Sequence, residues 1–141
     1  MEWSDQLSDV NVWAVLLATA STFALGSVWY AWGVFGKTWA GLNGLKKADF
    51  DKPDNMAKTF IGMGVGSLLA ASIMFMLMNA TNTEGLVDGV IFGFLLGLAF
   101  RFTTHVMHNG FAKRSEELTR IDGFHDILQM MIMGAILGLF L

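Results

Sequence analysis

Two stretches of the chain, Val10 to Gly36 and Thr59 to Thr83, contain no Asp, Glu, Lys or Arg. Each exceeds the roughly 20 residues that a helix needs to cross a hydrocarbon core about 30 Å thick. A third apolar segment runs from Leu86 to about His108, interrupted by Asp88 near its start and Arg101 in its last third. A fourth, Phe124 to Leu141, is just long enough to span at ~1.5 Å per residue. The pattern predicts an all-α fold, an integral membrane four-helix bundle forming a single transmembrane domain over residues 1–141. Its spans are about 10–36, 57–79, 86–108 and 124–141, joined on one side by loops 37–56 and 109–123. A soluble helical bundle fits poorly, because a water-exposed helix needs a polar face and Ile61 to Met78 offers almost none.

Charge orients these spans. All 9 Lys and Arg fall in the first and third connections or the helix ends beside them: Lys37, Lys46, Lys47, Lys52 and Lys58, then Arg101, Lys113, Arg114 and Arg120. Basic residues collect on cytoplasmic loops, so both termini are expected outside the cytoplasm, and parity then requires an even number of spans. The localisation that follows is multi-pass in the inner (cytoplasmic) membrane. The tail Met1 to Asp9 holds acids and no base, unlike the charged start of a signal peptide. Trp3 and Leu7, four apart, could lay a short helical turn on the outer interface.

Composition narrows the function classes. The chain is 54% hydrophobic and 15% charged, against about 25% charged in an average soluble domain. A net charge of -3 excludes a basic nucleic-acid-binding domain, and the absence of Cys excludes thiol catalysis, thiolate metal sites and a disulfide framework. There is no nucleotide loop, nucleophile elbow or HExxH motif. Gly62-Met63-Gly64-Val65-Gly66 lies in an apolar span, where helix packing explains it better than phosphate binding. A small multidrug exporter would need a carboxylate embedded in the first helix, and Val10 to Gly36 has none.

Along the chain, Trp29, Tyr30, Trp32 and Trp39 crowd the cytoplasmic end of the first span as interfacial anchors. Asn43-Gly44 reads as a turn, and Lys52-Pro53-Asp54-Asn55 as a stop followed by a cap for the second helix. Asn79 to Gly85 is a tight outer turn that makes helices two and three an antiparallel hairpin. Ser115-Glu116-Glu117-Leu118 could form one helical turn in the second loop. Ser21, Thr22 and Ser27 can bond back to their own helix backbone. Small residues recur four apart: Gly62, Gly66 and Ala70; Gly89, Gly93 and Gly97, a glycine zipper; and Gly134 with Gly138. Such faces let backbones approach closely where lipid supplies no hydrophobic drive. They suit packing within the chain and also a homo-oligomer, with a dimer favoured.

Ionisable groups at depth are functional candidates. Aligning His108 with His125 places His105 beside Leu128 and Gln129, and Arg101 beside Ile132. The expected result is a polar cluster at the cytoplasmic rim: Arg101, His105, His108, Asn109, His125, Asp126 and Gln129. A snorkelling Arg101 could reach Gln129 or Asp126. The cluster admits three readings: an Arg101–Asp126 pair with ordinary rim histidines, a proton or anion relay, or a haem or divalent metal site built from His105, His108 and His125. Asp88 reads as a helix-start acid favoured by the helix dipole.

Two segments carry a resemblance. Asn11-Val12-Trp13-Ala14-Val15 leading to Gly26-Ser27-Val28-Trp29-Tyr30, then Phe35-Gly36-Lys37-Thr38-Trp39, resembles the N-terminal signature of domain of unknown function family 1761, small four-span bacterial membrane proteins. Gly123-Phe124-His125-Asp126, followed by Met133-Gly134-Ala135-Ile136-Leu137-Gly138, resembles that family's last helix. The resemblance marks Trp29, Tyr30, Lys37, Trp39 and His125, and implies no reaction. Where the family places Ser-Pro after Trp-Tyr, this chain has Ala31-Trp32, which removes the proline break expected at the end of the first helix. The combined expectation is a non-enzymatic oligomeric scaffold, assembly partner of other membrane proteins or small-solute permeation protein, with no cofactor. The alternative is a metal- or haem-binding redox membrane protein using the rim histidines.

Overall fold

The computed structural model describes residues 9–50 and 53–141, the side chains of 53–55 excepted. The expected turn at Trp3 and Leu7 and the stop at Lys52 lie outside the described residues, as do the side chains of Asp54 and Asn55 expected to cap the second helix. The chain is all-helical: α1 (Val12–Trp29), α2 (Lys37–Leu42), α3 (Pro53–Ala80), α4 (Gly85–Leu96), α5 (Thr103–Phe111) and α6 (Glu116–Gly138). A π-helical turn, Gly97–Phe102, joins α4 to α5 without a break, and a second, Trp32–Gly36, leads into α2. Among the described residues, three helices are long and apolar enough to cross a membrane: Val12–Trp29, Met56–Ala80 and Gly85–Phe111.

Local chemistry sets the ends. Asn11 caps α1, its Oδ1 accepting from the amides of Trp13 at 3.1 Å and Ala14 at 3.2 Å. The charge-free stretch to Gly36 is not one helix: α1 stops at Trp29, and Ala31 turns extended (ψ 143°) before the π turn. No proline is needed for this break. Gly36 sits so close that a Cβ there would overlap the carbonyl oxygen of Tyr30, and its amide donates to the Ala31 carbonyl at 3.0 Å. Between α3 and α4, Asn82 and Gly85 take positive φ (51° and 82°), which allows the tight reversal. The last helix starts earlier than hydropathy indicates, at Glu116. Ser115 accepts from the Leu118 amide at 3.1 Å, and Glu116 and Glu117 occupy the positive end of the helix dipole.

Helix α6 is the hub. It packs against α1, α3, α4, α5 and the π turn, and it holds more buried residues than any other helix described. Although the turn folds α3 back toward α4, the two are held chiefly through α6 and not against each other as a hairpin. The apolar core lies toward the turn end, where Ala14, Val15 and Ala18 of α1 meet Ala71, Met74, Phe75 and Met78 of α3 and Met133 and Leu137 of α6.

The register of α4 on α6 is set by glycine. A Cβ on Gly89 would meet the carbonyl of Gly134, one on Gly93 the carbonyl of Met130, and one on Gly138 the carbonyl of Gly85. This slides α6 relative to the alignment of His108 with His125: Gly97 faces Ile127, and Asn109 donates to Thr119 at 3.1 Å. Close backbone approach, available only where the side chain is a hydrogen, outweighs matching of the two helices by apparent membrane depth. Gly62 and Gly66 on α3 face open space instead, with nothing within 4 Å of a Cβ placed on either.

Candidate functional site

Gly89, Gly93, Gly97, Arg101, His105 and Asn109 follow one another at intervals of four, so one ridge passes from glycines to polar side chains. In a pure α-helix such a ridge drifts around the axis, because four residues slightly exceed a turn of ~3.6. The wider π turn at Gly97–Phe102 rotates the other way and keeps Arg101 and His105 on α6. There they converge on Asp126. Arg101 donates through Nε and Nη2 to Asp126 Oδ2, both at 3.0 Å. His105 Nε2 meets the same oxygen at 3.0 Å, and His125 Nδ1 meets Oδ1 at 3.0 Å. The Asp126 side chain is 11% exposed and that of Arg101 51%, so a sheltered carboxylate anchors a cation that reaches toward the surface.

A second carboxylate, Asp122, lies one turn before Asp126 on α6. Its Oδ1 accepts from the Tyr30 hydroxyl at 2.8 Å and from Trp39 Nε1 at 2.9 Å. Trp29 Nε1 donates to the Ile121 carbonyl at 3.2 Å. The break after α1 thereby brings three aromatic side chains onto α6. Tyr30 and Trp29 also pack against the His125 ring, tilted and edge-on respectively, with centroids 5.0 and 5.9 Å away. Further along, Gln129 donates to Thr22 Oγ1 at 3.3 Å. Thr22 therefore faces across to α6, whereas Ser21 and Ser27 bond back to Ala18 and Ala24 of their own helix.

Of the residues singled out from sequence, Arg101, His105, His125 and Asp126 form one connected network. Gln129 is buried beside it and Asn109 caps its far end through Thr119. His108 is exposed and outside the network, so the three histidines do not meet at one point. Among the described residues no group of three or more His, Asp or Glu is arranged to hold a metal ion. Lys37 is exposed, and the other marked aromatic positions sit at the Asp122 clamp. Sequence reasoning missed Asp122, and it gave Thr22 a bond to its own helix where the structure has it accept from Gln129. The i, i+4 spacing of Asp122 and Asp126 on one helix face is the signal that points to the first; nothing local distinguishes the second.

Beside this network lies a cavity of about 910 Å³ between α1, α3 and α6. It exists because the first half of α3, up to Gly66, buries none of its described residues, while the second half packs into the core. Phe23, Phe60, Met63 and Met130 supply apolar wall, Trp32, Trp39 and Phe50 an aromatic end, and Arg101, His125, Asp126 and Gln129 a polar flank. The volume falls in the range of small-molecule sites, ~300–1,000 Å³.

The fold and site together define an all-helical protein with membrane-length apolar helices, a polar network on its most buried helix and an apolar cavity beside it. The model of the family described as "Protein of unknown function (DUF1761)" matches residues 13–138, and the chain belongs to that family. No curated protein and no solved structure matches it.

Proposed function

We propose that the protein is a four-span, non-enzymatic protein of the inner (cytoplasmic) membrane, with both termini on the non-cytoplasmic side, that takes up a small amphipathic molecule in the cavity between α1, α3 and α6. The carrying observation is that cavity: long apolar walls, a restricted polar flank, and a size suited to one ligand. Such a half-open site fits a small-solute permeation protein better than a scaffold. The fourth span is α6, whose Asp122 and Asp126 carboxylates are hydrogen-bonded by side chains of neighbouring elements. Nine basic residues against none, counted across the two sets of connections, support the orientation. A dimer belongs to the same reading, supported by Gly62, where a Cβ would meet no atom of the described residues within 4 Å.

The test uses protein in nanodiscs titrated with Nile red, whose emission reports an apolar site. Saturable binding is expected, and Gly66→Trp, which fills the cavity from a position with free space, should abolish it. Equal binding by both proteins would sink the cavity reading.

A further inference from the structure

We propose, resting on the cavity reading above, that the molecule taken up is a single-chain amphiphile with an anionic head, a carboxylate or a phosphate. Its head oxygens accept from Arg101, and Lys47 adds a second positive charge on the cavity wall.

The polar flank is asymmetric in what it still offers a ligand. Asp126 Oδ2 already meets Arg101 Nε, Arg101 Nη2 and His105 Nε2, and its Oδ1 meets His125 Nδ1, all at 3.0 Å. These contacts match the roughly four lone-pair sites of a carboxylate. A head group that must donate, whether ammonium or hydroxyl, therefore finds Asp126 already saturated. Arg101 commits Nε and Nη2 to Asp126, and a guanidinium carries about five N–H donors, so most of its capacity remains. Access favours the same group. The Arg101 side chain is 51% exposed and that of Asp126 11%, so the guanidinium is the reachable member of the pair.

The rest of the wall agrees in sign. Tyr30 and Trp39 donate to Asp122, and Ser27 donates to the Ala24 carbonyl of its own helix. Among the described wall residues the charged side chains are Arg101, Lys47 and Asp126. Lys47 is exposed and forms no ion pair with a described residue. With Asp126 matched by Arg101, the wall is left with a positive excess, and such a wall draws an anion. Phe23, Phe60, Met63 and Met130 offer no hydrogen bonds, so the body of the ligand is hydrocarbon. In the proposed orientation both cations lie toward the cytoplasmic face, which sets the head there and the chain toward the membrane interior.

The experiment displaces Nile red from protein in phosphatidylcholine nanodiscs with hexadecyl phosphate, hexadecanoate, hexadecanol and hexadecyltrimethylammonium, each corrected for uptake by empty nanodiscs. The pH is about 8.5, well above the ordinary carboxyl range. At least one anion is expected to displace the dye at a concentration roughly tenfold lower than hexadecanol, which has the same chain and no charge. Arg101→Gln should remove most of that advantage and Lys47→Gln roughly half of it, while displacement by hexadecanol stays the same in both. The anion with the larger advantage identifies the head as phosphate or carboxylate. Equal displacement by anions and alcohol, stronger displacement by the cation, or an anion advantage that survives Arg101→Gln overturns the head-group proposal and leaves the cavity reading standing. If Nile red finds no saturable site, the cavity reading fails and the head-group proposal falls with it. Should Arg101→Gln not fold, the unmodified protein and Lys47→Gln decide: an anion advantage that Lys47→Gln leaves untouched then overturns the proposal.

Discussion

The Tyr30 hydroxyl donates to Asp122 at 2.8 Å across 92 residues of sequence, and Trp39 reaches the same carboxylate oxygen at 2.9 Å. One acid on α6 thus holds both sides of the break that follows α1. Asp122→Ala strands two donors and should destabilise the protein by about 1–3 kcal/mol, whereas Tyr30→Phe removes one bond of a pair and should cost about 0.5–1.5 kcal/mol. Thermal unfolding in one detergent measures both. Equal losses would mean that the Trp39 bond contributes nothing.

The carboxylate of Asp126 is sheltered while its partner Arg101 is half exposed. Removing the acid leaves His105, His125 and Arg101 without an acceptor, whereas removing Arg101 leaves a carboxylate still bonded to two histidines. Asp126→Leu is therefore expected to lower stability by about 1–3 kcal/mol, and Arg101→Leu by less than about 1 kcal/mol. Denaturation of the two variants side by side checks the order; the reverse order would place the anchoring group on the wrong residue.

Glycines on the two faces should behave oppositely. Gly89→Leu drives a side chain into the backbone of α6 at Gly134 and should cost at least about 1–3 kcal/mol, or prevent folding. Gly62→Leu meets open space and should leave the fold of the single chain intact, while weakening a dimer that uses that face. Unfolding measurements combined with subunit mass in detergent separate the two effects.

The absence of cysteine makes orientation directly measurable. Cysteines introduced one at a time at Asn82 and Lys113, both in turns with positive φ, should be labelled in intact cells by a membrane-impermeant maleimide at position 82 and not at 113. Labelling of both positions from the same side would refute the four-span orientation.

Residue order alone determined which segments are helical and apolar, where basic residues collect, and which polar side chains stand within long apolar segments. Those properties are local: they depend on hydropathy over a turn or two and on charge in short connections. The recurrence of Gly89, Gly93 and Gly97 was visible in the same way, since it is a spacing along one helix, and Arg101, His105 and Asn109 continue it. Tertiary structure decided what that ridge meets. Glycine contact with the backbone of α6 set the register, brought Arg101 to Asp126 in place of Ile132, and left His108 outside the network. The close approach of Gly36 to the Tyr30 carbonyl broke the first apolar stretch without a proline, so that Trp29, Tyr30 and Trp39 could gather on α6. The cavity arises because only half of α3 joins the core. Each of these depends on how closely two backbones can come together, a property of pairs of distant residues that no single segment carries.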